Sequence, residues 1–249
     1  MNITGDTILI TGGGSGIGRG LAEAFHAQGA KVIIAGRRAG PLEETVAANP
    51  GMAFAVLDVE DAQAIIAFAA QVTQEHPGLN VLVNNAGVMR TEDLLAEPLD
   101  LADAEATITT NLLGPIRLTA ALLPHLRRQA SATVMNVTSG LAFVPLTATP
   151  TYCATKAAMH SYSQSLRFQL RETAVRVIEL APPAVATDLM PGHADNPRSM
   201  PLDAYIQETL ALLKAGPAAE EICVERVKML REAEASGRYG AVFDMLNGH

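Results

Sequence analysis

Three side chains in this 249-residue sequence have the types and spacing for proton chemistry on a carbonyl or an alcohol. Tyr152 and Lys156 stand four residues apart at the start of a predicted helix, which puts both on one face. A phenol ordinarily titrates at about 10 and is protonated at neutral pH. A neighbouring ammonium is expected to lower that value and let the oxygen exchange a proton with a carbinol. Ser139, in Asn136-Val137-Thr138-Ser139-Gly140, ends a predicted strand and offers a hydroxyl to fix a substrate carbonyl. Tyr and Lys at this spacing are also common on ordinary helices, so the reading rests on what accompanies them.

A glycine-rich turn, Thr11-Gly12-Gly13-Gly14-Ser15-Gly16-Ile17-Gly18, lies between a predicted strand and a predicted helix. Glycines there let the backbone approach a pyrophosphate at a helix N-terminus, which makes Gly12, Ser15, Gly16, Ile17 and Gly18 candidate cofactor contacts. The second strand ends in Gly36-Arg37-Arg38. An acidic residue at this position suits the ribose hydroxyls of NAD, whereas Arg37 and Arg38 suit a 2′-phosphate, so NADP(H) is favoured over NAD(H). Asp58-Val59 ends the third strand, where the carboxylate can meet an adenine amino group or cap its own turn. Asn84-Asn85-Ala86-Gly87 ends the fourth; Asn85, Ala86 and Gly87 suit close packing against a cofactor or a plain turn. Asn111 falls in a long predicted helix four residues before Pro115, which lacks the N–H that would bond the Asn111 carbonyl. That carbonyl can hold a water, or the helix is merely kinked there.

The elements that must position these groups are short apolar strands alternating with helical patterns. Strands are expected at Thr7–Thr11, Lys31–Ala35, Ala53–Leu57, Val81–Asn84, Thr133–Val137 and Val175–Leu180. Apolar on both faces, they predict a doubly wound α/β fold, a parallel Rossmann sheet of six or seven strands flanked by helices on both faces. No repeat or linker interrupts the pattern, so residues 1–249 are expected to form one domain. The region Ala181–Pro201 carries five prolines and little periodicity, which marks a substrate loop, set around residues 184–215. Amphipathic helices are expected at Leu202–Leu213 and Ala218–Ala235.

Composition narrows the function. Hydrophobic residues make up 49%, enough for a core, and the net charge of -8 repels nucleic acid. Two cysteines without a CxxC pair and six scattered histidines support neither a disulfide framework nor a zinc site, so no metal is expected. With no basic, apolar leader and no stretch long enough for a membrane span, a cytoplasmic protein with no membrane partner is expected.

In order and spacing, Thr11-Gly12-x-x-x-Gly16-Ile17-Gly18, Asn84-Asn85-Ala86-Gly87, Ser139 and Tyr152-x-x-x-Lys156 resemble the single-domain short-chain dehydrogenase/reductase family over roughly Thr4 to Leu189. The resemblance implies that Tyr152 is the general acid/base, Ser139 orients the carbonyl, Lys156 holds the nicotinamide ribose and Asn111 anchors a water of a proton relay. It implies that Asp58 and Val59 meet adenine, that Asn85 and Ala86 line the cofactor channel, and that an arginine ending the second strand accompanies NADP. It also implies a homodimer or homotetramer packed through the helices around Asn111 and after Lys156. Two departures stand out. The usual Pro-Gly after the sixth strand is replaced by Pro182-Pro183, so this turn must be extended, with Val185 and Thr187 left to meet the carboxamide. A bacterial subgroup found beside the operon for D-alanylation of teichoic acid is similar in this double proline, and only the shape of the turn is carried over from it. The family's seventh strand is not evident in the C-terminal Arg238–His249, which favours the dimer.

The expected function is therefore NADPH-dependent reduction of a ketone or aldehyde, reversible to alcohol oxidation, with a small-molecule substrate. A non-catalytic NADP-binding regulator or scaffold is the alternative, and sugar-nucleotide chemistry is disfavoured for want of a second substrate domain. Leu141, Phe143 and Met190, with Met89, Val144 and Leu189, are candidates for an apolar substrate pocket. Cys153, beside Tyr152, has no evident base to activate it.

Overall fold

The computed structural model describes every residue except Met1, Asn2, Pro191, His193 and His249, so two residues of the expected substrate loop lie outside the described residues. In chain order it runs β1 (Thr7–Thr11), α1 (Gly16–Ala27), β2 (Lys31–Gly36), α2 (Ala39–Ala48), β3 (Ala53–Val56), α3 (Ala62–Glu75) and β4 (Leu79–Asn84). Then come α4 (Ala102–Ile108), a π turn (Thr109–Leu113), α5 (Gly114–Leu126), β5 (Ala132–Val137), α6 (Pro150–Leu170) and β6 (Val175–Leu180). The chain finishes with α7 (Leu202–Ala215), β7 (Glu221–Ile222), α8 (Lys228–Arg231) and α9 (Tyr239–Asn247).

The seven strands form one parallel sheet in the order β3-β2-β1-β4-β5-β6-β7. Alternation of side chains divides its core into two layers. Ile8 and Ile10 of β1 face Leu21 and Phe25 of α1 and Tyr205 and Ile206 of α7. Leu9 between them faces the other way, towards Ile65 and Phe68 of α3, Leu118 and Leu122 of α5, and Leu166 and Leu170 of α6. Strand order reverses on either side of β1, so the C-terminal ends of β1 and β4 open a crevice in which ligands of this architecture bind.

All six expected strands form. The region Ala218–Ala235 is not one helix: Glu221–Ile222 adds a seventh strand, and only the short α8 follows. The free edge of β6 explains this, since its backbone groups need partners. Glu179 N–H donates to the Glu220 carbonyl at 2.9 Å and Ala181 N–H to the Ile222 carbonyl at 3.1 Å. The C-terminal stretch, where a strand had been sought, is the helix α9. The predicted break at Pro115 appears as the π turn, which bulges the helix where Asn111 sits.

A buried polar ladder crosses the sheet just below this crevice. Asn84 of β4 donates through Nδ2 to Thr119 Oγ1 of α5 at 3.0 Å and to Asn136 Oδ1 of β5 at 2.8 Å. Asn136 Nδ2 donates in turn to Ser163 Oγ of α6 at 2.9 Å. Asn136→Ala leaves one Asn84 N–H and the Ser163 acceptor unpaired in a dry interior, although Asn84 keeps Thr119 and Ser163 keeps the Met159 carbonyl. The expected loss, read by denaturant unfolding, is about 1–3 kcal/mol for each group left unsatisfied.

Candidate active site

The glycine turn leaves β1 with its backbone forced close to its neighbours. Gly12 and Gly16 have φ of 68° and 51°, a region L side chains avoid. Ser15 is the N-cap of α1, but its side chain makes no capping bond, so its hydroxyl and the first N–H groups of α1 face the crevice without a mutual partner. Thr11, quoted in the motif but given no role from sequence, ties this turn to β4. Its Oγ1 accepts from the Asn85 and Ala86 N–H groups, both at 3.1 Å, while Asn85 Nδ2 donates to the Thr11 carbonyl at 2.9 Å. Asn85 thus braces the glycine turn from behind.

The two arginines are not equivalent. Arg37 pairs with Glu60 at 3.1 Å, and Glu60 also accepts from Thr110 Oγ1 at 2.6 Å. Arg38 forms no ion pair among the described residues and lines the same cavity. Asp58 accepts from the Glu60 N–H at 3.0 Å, the turn-capping alternative, and Val59 lines the adjoining pocket beside Leu57.

Most of these groups share one cavity of about 500 Å³ with Ser139, Tyr152 and Lys156, whereas Asp58, Val59 and Asn111 are not part of its lining. Gly12, Ser15, Gly16, Ile17, Arg37, Arg38, Asn85, Ala86 and Gly87 line one part of it; Ser139, Tyr152, Lys156, Val185 and Thr187 line the other. Gly18 stands behind the turn, where the space that a side chain would need is filled by the Gly12 carbonyl and Asn85. Extended backbone replaces a left-handed turn after Pro182-Pro183: no described non-glycine residue has positive φ, and Val185 bridges in parallel to Met200.

Tyr152 and Lys156 are both buried on α6, with the Lys156 ammonium 5.5 Å from the phenol ring centroid. Lys156 Nζ donates to the Val137 carbonyl at 2.8 Å. Burial lowers its pKa to about 8, against an opposing pull from the Glu179 charge. The expected depression of the tyrosine is not found. Burial pushes Tyr152 up to about 12, and the hydrogen bond to Ser139 only partly offsets it. A group taken out of water favours its neutral form, and here that effect outweighs the nearby cation. Ser139 Oγ also accepts from the Leu141 N–H at 3.1 Å, which fixes it at the end of β5. The Asn111 side chain is fully engaged with Val88: Oδ1 accepts from its N–H and Nδ2 donates to its carbonyl, both at 2.8 Å. It therefore holds the loop after β4 against the π turn.

The apolar pocket differs from expectation at three positions, Phe143, Val144 and Met190, none of which lines the cavity. Phe143 packs edge-on against His160 at 4.9 Å and under the Arg231 guanidinium at 4.7 Å. Val144 is core, packed with Leu230, Ala233 and Val242. Leu141, Met89 and Leu189 do line the cavity, and Met190 packs against the Met89, Tyr152 and Cys153 cluster. Sequence reasoning missed Leu146, Leu230, Leu246 and Arg90, which complete the wall. Leu246 arrives because Asn247 clamps α9 to the segment before α6, accepting from the Thr147 N–H at 2.7 Å and donating to the Pro145 carbonyl at 3.2 Å. Nothing in the local pattern signals a contact across about a hundred residues of chain.

The glycine cradle gives a direct test of whether this crevice takes a dinucleotide. A Cβ at Gly18 would stand 2.3 Å from the Gly12 carbonyl oxygen and 2.4 Å from Asn85 Nδ2. Gly18→Ala is expected to abolish NADPH binding in calorimetry while the far-ultraviolet circular dichroism stays that of the wild type.

The short chain dehydrogenase family matches residues 6–197 of the chain. The uncharacterized oxidoreductase DltE of Bacillus subtilis (strain 168) is 41% identical over 251 residues, covering 99% of this chain and 98% of that protein. The NADP-dependent 3-hydroxy acid dehydrogenase of Schizosaccharomyces pombe is 33% identical over 193 residues, covering 75% of this chain and 74% of that one. A crystal structure of a short chain dehydrogenase from Burkholderia cenocepacia J2315 in complex with NADP superposes with a TM-score of 0.82 at 25% identity, covering 99% of both chains. No helix among the described residues is long and apolar enough to cross a membrane. With sheet order, glycine turn and sequence agreeing along the chain, the protein belongs to the short-chain dehydrogenase family, as an oxidoreductase acting on CH–OH or carbonyl groups with a nicotinamide cofactor.

Proposed function

We propose that the protein is an NADPH-dependent reductase of ketones or aldehydes, able to run in reverse as an alcohol dehydrogenase. The observation that carries this reading is one cavity lined both by the glycine turn with Arg38 and by Ser139, Tyr152 and Lys156. Backbone N–H groups at Ser15, Gly16 and Ile17 would hold the pyrophosphate, with Gly12, whose own N–H is spent on the Ala35 carbonyl, and Gly18 allowing the close approach. Arg38, free of a carboxylate, would take the 2′-phosphate with help from Arg37. Asp58 and Val59 would border the adenine, Asn85, Ala86 and Gly87 the channel, and Val185 and Thr187 the carboxamide. The NADP in the Burkholderia structure and the NADP dependence of the yeast relative support the preference for NADP(H) over NAD(H).

A bound reduced nicotinamide supplies the hydride. Tyr152 donates its phenolic proton to the carbonyl oxygen as the carbon–hydrogen bond forms, giving a neutral alcohol. Burial suits it to this direction, since it keeps the phenol protonated at neutral pH. Ser139 holds the carbonyl oxygen beside that phenol. Lys156, while cationic, stabilises the phenolate left behind and binds the nicotinamide ribose. Asn111 keeps the Val88 loop closed over the site and leaves its backbone carbonyl to anchor a relay water. Reversal returns the same proton from alcohol to phenolate.

The substrate side is walled by Met89, Leu141, Leu146, Leu189, Leu230 and Leu246, and Arg90 there is already paired with Asp103. That lining suits a small or medium, mostly apolar, neutral carbonyl compound. We also propose a homo-oligomer, a dimer or a tetramer, since the seventh strand whose absence favoured the dimer does form as β7. Ile108 and Leu113 beside Asn111, and Phe168 late on α6, are apolar side chains left exposed on the helices that would pair.

Reduced-nicotinamide oxidation over a panel of neutral ketones and aldehydes tests the reaction. Tyr152→Phe should lose at least about 10²–10⁴-fold in turnover, with NADPH binding unchanged. NADPH binding without turnover by the wild type on any panel member would favour the regulator instead. Arg38→Leu tests the cofactor: NADPH affinity should fall about 10–100-fold, the value of a charge-assisted hydrogen bond, while NADH affinity stays as it was. An equal loss for both would overturn the 2′-phosphate assignment.

A further inference from the structure

Tyr152 and Lys156 begin a ladder that continues one turn further on α6 to His160. His160 Nδ1 lies 2.8 and 3.0 Å from the two carboxylate oxygens of Glu179, a residue of β6 that is only 1% exposed. Glu179 Oε1 also accepts from Thr138 Oγ1 at 2.6 Å. Thr138 stands between Val137, whose carbonyl receives the Lys156 ammonium, and Ser139. The Thr138 N–H is fixed as well, donating to the Leu180 carbonyl at 2.8 Å. The carboxylate therefore grips the strand end from which two of the proposed catalytic contacts depart.

The surroundings of this pair come from α6, β7, α8 and the residue that follows β7. On α6, Gln164 Nε2 lies 3.1 Å from His160 Nε2. From β7, Glu221 lies 3.9 Å from His160 Nδ1, and Arg231 at the end of α8 holds both Glu221 oxygens at 2.9 Å. The half-buried Cys223 thiol also lies within the field of Glu179 and Glu221. His160, Glu179 and Glu221 have ligand atoms within 4.8 Å of one another. The Arg231 guanidinium already supplies the cation at Glu221, so these groups are read as an ion-pair network. A carboxylate this deeply buried is sustained only by partners. One is His160, whose pKa is raised by its bond to Glu179. The other is Lys156, which Glu179 draws towards its charged form against the effect of burial.

We propose that Glu179, clamped between Thr138 and His160, is a positioning residue that holds Lys156 as the ammonium and fixes the strand end carrying Ser139. What Lys156 is for rests on the reductase reading above; the coupling itself does not.

The coupling can be measured without a substrate. The chain has four lysines and six histidines, few enough to follow each by NMR in the full, cofactor-free protein. Lys156→Met and His160→Gln assign the two signals. In the wild type, Lys156 is expected to titrate at about 8, below the ordinary lysine value. Glu179→Gln removes a negative charge beside the ammonium, so deprotonation becomes easier and the midpoint falls by about one pH unit, a tenfold change in acidity. Glu221→Gln leaves the Lys156 midpoint in place. Coupling is reciprocal, so Lys156→Met must raise the His160 midpoint by relieving competition for Glu179. That second variant decides the matter should Glu179→Gln fail to fold. An unmoved Lys156 midpoint in folded Glu179→Gln, or an unmoved His160 midpoint in Lys156→Met, overturns the proposal. Intact coupling in a protein that reduces no carbonyl compound would overturn the reductase reading and leave this one standing.

Discussion

The site depends on a cation kept out of water. Lys156 is buried on α6, and an ammonium so placed survives only with an acceptor at hydrogen-bond distance and a negative charge in reach. The Val137 carbonyl is the first and Glu179 the second. Each belongs to a different strand, so α6, β5 and β6 must hold their relative positions for the cation to persist. The buried ladder from Thr119 through Asn84 and Asn136 to Ser163 secures that arrangement from below, because none of its amides can let go without stranding another.

Placing the cation there sets the chemistry of its neighbours. Burial that lowers the lysine raises the tyrosine, so the two pKa values move apart and their ordinary order is inverted. A phenol held protonated near an ammonium is a proton donor in waiting, whereas in open solvent neither group would be poised this way. The other half of the cavity works by subtraction. Side chains are missing at the glycine turn, and Thr11 and Asn85 spend their hydrogen bonds on bracing it, which leaves Ser15 and the start of α1 facing the crevice.

The far wall is built from the end of the chain. Asn247 fastens α9 to the segment between Ser139 and Tyr152, and Leu246 and Leu230 are thereby delivered to the cavity. The proposed substrate wall thus comes in part from the least regular part of the sequence, while the proposed proton chemistry sits on the most regular.

The sequence alone determined the strand–helix alternation, because apolar runs and their spacing respond to local geometry. It also determined the glycine turn and the Tyr152/Lys156 face, because helical periodicity places residues four apart together. The break in the helix at Pro115 was legible for the same reason: a missing N–H is a local fact. Tertiary structure decided the rest. The two-residue β7 has no pattern of its own and forms because β6 exposes an edge. Glu60 chose between Arg37 and Arg38, Phe143 turned from the cavity to His160, and the tyrosine rose where a fall was expected. These outcomes depend on burial and on partners distant in the chain. Both are fixed only when the layers close, since desolvation is a property of the folded surroundings and not of the residue.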